Sequence, residues 1–229
     1  MMWGVTETAF SQMSAYILQR SSDDALLDEK LREGLRHAHI EAEENGLRAP
    51  SAVTGALLST LAASGCGHAS QGAVCVSPAA GVAGLHILRG LPEKSTLTCI
   101  EPEAALQNSA KAAFKLGGYA SSRARFLTAR PLDVMGRLAA DSYQLIYADV
   151  APLELKALLA HAWPLLTQGG TLVIADSLLD GTIGDPSRRD RETEAARAAD
   201  AAIDALAEDE GAVVTRLPLD GGVTLVTKR

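Results

Sequence analysis

The feature that most constrains this chain is a regular alternation of short apolar runs with helix-forming stretches after residue 72. Five runs follow one another: AVCVS (73–77), TLTCIE (96–101), ARFLT (124–128), YQLIYAD (143–149) and GGTLVIAD (169–176). The runs are apolar without alternation, so both faces of each strand should be covered. Strands separated by helices and short links predict a parallel, doubly wound α/β sheet with helices on both faces.

The two ends of the chain do not follow this alternation of strands and helices. At the C-terminal end, AVVTRLPL and VTLVTKR flank Asp220-Gly221-Gly222, a pattern that predicts an antiparallel hairpin. At the N-terminal end, residues 10–46 are mostly polar with helical spacing, and an apolar helix with Ser51 as its N-cap should follow and end near Gly65. We therefore expect one domain over residues 1–229, with residues 1–65 as a helical segment packed on it.

Charge and composition narrow the class of partners. The 229 residues carry a formal net charge of −7, which disfavours phosphate backbones, so we expect no nucleic-acid partner. Neither a secretory leader nor an 18-residue apolar run is visible. The three cysteines (Cys66, Cys75 and Cys99) form no CxxC pair. These features predict a cytoplasmic protein with no membrane partner.

The loop after the first strand reads SPAAG, where a nucleotide-binding loop would be expected. Small residues let a ligand approach the backbone, and the following helix N-terminus offers N–H groups, yet Gly81 is the one glycine here. The loop is either an altered nucleoside pocket or a plain strand–helix turn, and taken alone it favours the turn. Glu101 ends the second strand, where an acid can accept both hydroxyls of a ribose; a surface glutamate is the alternative.

Two further acids end the fourth and fifth strands. Asp149 and Asp176 should meet at one rim of the sheet because the carboxyl ends of parallel strands lie together. With the Ser177 hydroxyl they suit a hard divalent cation such as Mg²⁺, which prefers oxygen ligands. Helix caps or loop acids are the alternative interpretation.

Taken together, these segments resemble the cation-dependent O-methyltransferases, a family that includes the catechol and caffeoyl-CoA O-methyltransferases. The likeness is closest to a small actinobacterial branch and runs from about residue 50 to the end. It is carried by PSAVTGALLSTLA, GLHILRGLP, LTCIEPE, YQLIYAD, PLLTQGGTLVIADSLLDG and LPLDGGVTLVTKR, in that order. The resemblance implies a Rossmann-like fold with S-adenosylmethionine (SAM) as methyl donor, and a homodimer.

The resemblance also assigns roles to single positions of this sequence. The implied cofactor-binding positions are Val53, Ser77, Ala79, Gly81, Glu101, Pro131 and Asp149. Asp149, Asp176 and Ser177 match the cation site, and Asp149 is the implied catalytic residue. The chain departs from the family pattern, which has glutamate at Cys75, glycine at Ser77 and Ala79, aspartate at Ala151 and asparagine at Ser177.

Two functions follow from these observations. The first is a SAM-dependent O-methyltransferase that acts on a small phenolic or catechol-like hydroxyl acceptor, with or without the help of a divalent cation. The second, motivated by the departures, is a catalytically impaired protein of the same fold with a binding or regulatory role. A nicotinamide dehydrogenase is a weaker third, because the chain lacks GxGxxG and ends in a hairpin.

Overall fold

A seven-stranded sheet forms the centre of the structure, a computed structural model that describes residues 4–21, 27–65 and 72–229. The strands are β1 (Gly72–Val76), β2 (Thr96–Ile100), β3 (Ala124–Leu127), β4 (Tyr143–Ala148), β5 (Leu166–Ile174), β6 (Val213–Leu217) and β7 (Val223–Thr227). Their order is β3-β2-β1-β4-β5-β7-β6. Strands β1 to β5 are parallel, and the C-terminal hairpin adds β7 and β6 antiparallel at one edge. The predicted sheet and its closing hairpin are confirmed.

Helices cover both faces of this sheet, as the apolar strands required. They are α1 (Gly4–Ser21), α2 (Glu29–Glu44), α3 (Ala52–Ser64), α4 (Ala80–Gly90), α5 (Ala104–Leu116), α6 (Pro131–Val134), α7 (Pro152–Ala162) and α8 (Arg191–Glu210). On β1, Ala73 and Cys75 pack into the core formed with α2 to α5, whereas Val74 and Val76 pack into the core formed with α7 and α8. Burial on both faces explains why the strands do not alternate apolar with polar residues.

Within the described part of the N-terminal region, α1 and α2 precede α3, and residues 27–28 are not helical, so the stretch over residues 10–46 is not one continuous helix. Asp28 begins α2, because its side chain accepts a hydrogen bond from the Leu31 N–H at 2.9 Å. The Ser51 side chain caps α3 in the same way, as predicted. Helix α2 packs on α4 and α5, and α3 packs on α4.

Strand β5 begins three residues earlier than its glycines suggested. It starts at Leu166, and its pairing with β4 shifts register between Leu145 and Tyr143, while Gly169 adopts a φ of 77°. The glycine pair therefore forms an irregularity inside the strand instead of marking its beginning.

The cysteines and the helix lengths can be compared with the sequence predictions. Cys75 and Cys99 are buried free thiols, whereas Cys66 lies outside the described residues. Within the described ranges, every helix is too short or too polar to cross a bilayer.

The strand order places a crevice at the carboxyl ends of β1 and β4. The chain runs outward from β1 to β2 and β3 on one side and from β4 to β5 on the other. Connections on opposite sides of neighbouring strands leave an opening between them, where ligands of open α/β sheets bind. The acids predicted from the sequence all follow strands at this edge.

Candidate functional site

Two cavities open at this edge of the sheet and share a wall made by Asp149, Val150 and Ala151. The β2-side cavity, about 400 Å³, is lined by residues after β1 and β2 and before α6, among them Glu101 and Pro131. The β5-side cavity, about 430 Å³, is lined by residues after β5 and before α8, among them Asp176. Both have the size of small-molecule sites. The structure thus places Glu101 and Asp176 on opposite sides of Asp149.

Glu101 is held rigidly in the β2-side cavity. The residue is 6% exposed, and its Oε1 accepts a hydrogen bond from the Glu103 N–H at 2.8 Å. Its backbone oxygen accepts from Gln107 Nε2 at 2.8 Å. Burial raises the pKa of this carboxyl above its ordinary value. Because Oε2 receives no hydrogen bond from the described part of the chain, it can accept one from a ligand hydroxyl.

The loop after β1 adopts a path that does not need glycine. Among the described residues, none from Ser77 to Gly81 has a positive φ, so serine and alanine are tolerated at positions 77 and 79. The Ser77 Oγ donates to Asp149 Oδ2 at 2.8 Å and accepts from the Ala79 N–H at 3.0 Å. The serine therefore ties the loop to Asp149, a link that glycine could not make.

The remaining predicted cofactor positions differ in where they lie. Ser77 and Pro131 line the β2-side cavity, and Pro131 begins α6. Ala79, Gly81 and Val53 line neither of these two cavities. Gly81 serves helix packing instead, because a Cβ built there would lie 3.2 Å from the Ala38 Cβ of α2.

Asp149 occupies the boundary between the cavities. Its backbone N–H donates to the Val76 oxygen at 2.8 Å, which extends the pairing of β4 with β1 beyond the strand end. Burial raises the pKa of its carboxyl to about 6; the negative charge of Asp176 adds to this shift, and the hydrogen bond from Ser77 opposes it.

Asp176 is held by the hairpin turn between β6 and β7 and by a distant arginine. Its Oδ1 accepts from the Gly221 N–H at 3.0 Å, and its Oδ2 accepts from Arg48 Nη1 at 3.3 Å. The backbone here is strained, since Asp176, Leu179 and Asp180 all have φ between 46° and 53°. Strained non-glycine residues of this kind concentrate at ligand sites.

The Ser177 hydroxyl is engaged by the sheet. It shares a 2.8 Å hydrogen bond with Thr224 Oγ1 and donates to the Gly222 oxygen at 3.2 Å, and the residue is only 6% exposed. Ser177 lies on the wall of the β5-side cavity, but its oxygen already has these protein partners.

The side chains at this edge of the sheet do not supply a ligand set that fits a divalent cation. Asp176 is already paired with the Arg48 guanidinium and the Gly221 N–H, the Ser177 hydroxyl is bonded to Thr224 and Gly222, and the Ala151 side chain has no oxygen. No group of three or more His, Cys, Asp or Glu side chains suited to a metal ion occurs within residues 4–21, 27–65 and 72–229. A hard cation needs several such oxygen ligands.

Arg48 is the site residue that sequence reasoning missed. It lies in the link between α2 and α3, lines the β5-side cavity and approaches Asp180 Oδ2 at 3.6 Å as well as Asp176. No local motif marks it, and only the folded chain brings it to the rim.

Comparison of the sequence with known proteins gives two further findings. The profile of a family described as O-methyltransferase matches residues 72–229. A protein from Mycobacterium marinum named as an O-methyltransferase is 37% identical over 189 residues, which cover 82% of each chain.

Two solved structures are similar to this chain. A crystal structure of a protein from Corynebacterium glutamicum is 52% identical, with a TM-score of 0.87, and the match covers 96% of this chain and 97% of that one. The O-methyltransferase TomG from Streptomyces achromogenes, solved in complex with SAM, is 21% identical with a TM-score of 0.73, over 90% and 94% of the two chains. The second likeness shows the fold.

Proposed function

The chain belongs to the O-methyltransferase family, and from this premise we propose that it transfers the methyl group of SAM to a hydroxyl oxygen of a small phenolic acceptor. The observation that supports this most is the pair of cavities that share Asp149. One contains the buried carboxyl of Glu101, which can accept ribose hydroxyls, and the other has room for an acceptor. The proposal assigns SAM to the β2-side cavity and the acceptor to the β5-side cavity.

The residues of the β2-side cavity fit the nucleoside part of SAM. Glu101 presents an unshared oxygen that accepts ribose hydroxyls, and its rigid anchoring means that little ordering is needed on binding. Pro131 and Ser77 complete the walls. When bound, SAM supplies an electrophilic methyl group on a sulfonium.

The protein then contributes alignment. Holding an acceptor oxygen in line with a methyl group removes much of the entropic barrier of a bimolecular reaction. Asp149 lies at the boundary of the two cavities, where its carboxylate orients the acceptor oxygen and takes up the proton that the hydroxyl loses when the oxygen is methylated. It is the catalytic residue of the proposal.

A phenolic hydroxyl suits this site better than an alkyl one. The predicted cation would have made the acceptor oxygen more nucleophilic, but the donor set does not fit it, so no step of the proposal uses a metal. A phenol releases its proton far more readily than an alcohol and needs less activation. Leu155, Pro152 and Ala196 offer apolar contacts to a ring.

A second function is favoured by one specific feature. The Ser77 hydroxyl occupies Asp149 Oδ2, and such a lock could serve a protein that binds its ligand without turnover. This candidate predicts cofactor binding with no methyl transfer to any hydroxyl acceptor.

The experiment that tests the proposal combines calorimetry with a transfer assay. Titration with S-adenosylhomocysteine measures binding, and radiolabelled SAM with catechol, 3,4-dihydroxybenzoate and an alkyl alcohol measures transfer and its acceptor class. Binding with transfer to the phenols supports the proposal. Binding without transfer supports the second candidate, and no heat at millimolar ligand rejects both.

Two predictions of assembly stay predictions. We propose a homodimer, as the family resemblance implies, and light scattering coupled to size exclusion measures it. The single domain with its packed helical segment over residues 1–65 is tested by limited proteolysis, which should release no stable fragment of residues 72–229.

A further inference from the structure

The β5-side cavity contains a guanidinium that two acids hold from the same side. Arg48 Nη1 lies 3.3 Å from Asp176 Oδ2 and 3.6 Å from Asp180 Oδ2. The arginine side chain is 64% exposed, so it reaches the acids across the mouth of the cavity instead of being buried in the core. Isolated exposed ion pairs contribute little, so the significance of this one depends on how its acids are held.

The hairpin turn holds the Asp176 carboxylate and the backbone of Asp180. Asp176 Oδ1 accepts the Gly221 N–H at 3.0 Å, and the Asp180 N–H donates to the Gly221 oxygen at 3.1 Å. A Cβ on Gly221 would lie 2.4 Å from Asp176 Oδ1 and 3.2 Å from Arg48 Nη1. The glycine thus leaves the space that the Arg48–Asp176 pair occupies.

The link that carries Arg48 is anchored at the same turn. The Ser51 N–H donates to Asp220 Oδ2 at 3.2 Å, three residues after the arginine. The segment after α2, the loop after β5 and the hairpin turn therefore meet around one positive charge. That charge lies against Asp176, one of the three residues (Asp149, Asp176 and Ser177) at which the sequence predicted a divalent cation, and against Asp180, which was not among them.

We infer that the Arg48 guanidinium replaces a divalent cation at Asp176 and Asp180, and that its remaining N–H groups position the acceptor oxygen. A metal ion bound to Asp176 would have to displace the arginine or lie beside it, where the two positive charges repel each other. A guanidinium offers five N–H donors in a fixed plane, more than the two acids consume. Arg48 is thereby a specificity-determining residue of the acceptor cavity.

The test measures metal binding directly, by titrating the protein with Mn²⁺ alone and following free Mn²⁺ by electron paramagnetic resonance. The wild type should bind with a Kd of about 1 mM or weaker, as expected for a site with few ligands. Arg48→Met keeps the apolar stem, removes the charge and should bind Mn²⁺ at least about tenfold more tightly. Arg48→Lys, the charge-retaining control, should behave as the wild type.

A double variant identifies the site of any new binding. Arg48→Met combined with Asp176→Asn should return to the weak binding of the wild type, because one ligand is lost. The inference is overturned by tight Mn²⁺ binding to the wild type, by an unchanged affinity in Arg48→Met, or by tight binding that survives in the double variant. Circular dichroism verifies that each variant is folded.

The catalytic consequence rests on the proposed function. If that function is correct, transfer to catechol proceeds equally with EDTA and with added Mg²⁺, and Arg48→Met raises the KM for catechol with a smaller effect on kcat. Failure of the proposed function would show as absent S-adenosylhomocysteine binding, whereas the Mn²⁺ titration decides the role of Arg48 without any turnover.

Discussion

Replacing Glu101 by glutamine tests the nucleoside side of the site with the least structural disturbance. Glutamine has the same shape, and its amide oxygen can still accept the Glu103 N–H that Oε1 now accepts at 2.8 Å. What changes is the second oxygen, which becomes an NH₂ donor and loses its charge. Two donors, the amide and a ribose hydroxyl, would then face each other unless the hydroxyl rotates.

The size of the effect follows from this loss. Hydrogen bonds to a charged group contribute about 1.5–3 kcal/mol, so the Kd for S-adenosylhomocysteine should rise about 10- to 100-fold. The same substitution should not lower the free energy of unfolding. Since burial raises the pKa of Glu101, its ionised form is disfavoured in the folded protein, and the neutral glutamine should leave the free energy of unfolding at neutral pH equal or higher.

The assay is isothermal titration calorimetry at constant pH, with urea unfolding alongside. Glu103→Gln is the matched control, because Glu103 lines the same cavity but is exposed, and its affinity should stay within about twofold of the wild type. Equal affinities for the Glu101→Gln and Glu103→Gln variants would refute the ribose role. A parallel loss of stability and affinity in Glu101→Gln would point to misfolding instead.

Two further predictions concern the other acids of the site. Burial raises the pKa of Asp149 to about 6, so between about pH 4 and pH 6 the folded protein holds a proton that the unfolded chain releases. The free energy of unfolding should therefore fall by on the order of 2 kcal/mol as the pH rises from about 4 to 7. Asp149→Asn should lack this part of the decline in urea unfolding across that range, and identical pH profiles would contradict the assignment. Gly221→Ala places a Cβ 2.4 Å from Asp176 Oδ1 and should destabilise by about 1–3 kcal/mol, whereas Gly184→Ala, in open space, should change stability by less than about 0.5 kcal/mol in the same thermal scans. Equal melting temperatures for these two variants would show that the turn does not hold Asp176.

Much of the fold was predictable from the sequence because burial on both faces leaves a clear pattern. The apolar strands, apart from the start of β5, and the Asp-Gly-Gly hairpin turn appear where the sequence indicated. The start of β5 was wrong because Gly169 and Gly170 look like a turn, whereas β4 keeps pairing with the segment before them. Local sequence cannot distinguish a glycine bulge from a glycine turn.

The sequence could predict those site residues whose positions are determined by the ends of the strands. Glu101, Asp149 and Asp176 lie at one edge of the sheet because parallel strands end there, but Glu101 and Asp176 line separate cavities on either side of Asp149. Arg48 could not be found this way, since its contact with Asp176 joins residues 128 positions apart. The orientation of the Ser177 hydroxyl likewise depends on Thr224, a residue of another strand.

A crystal structure of the protein with S-adenosylhomocysteine tests the central claim most directly. The account predicts that both ribose hydroxyls lie within hydrogen-bonding distance of the Glu101 carboxylate, with the sulfur directed towards Asp149 and the β5-side cavity. A nucleoside bound elsewhere on the chain, or a β2-side cavity that stays empty at saturating ligand, would contradict it.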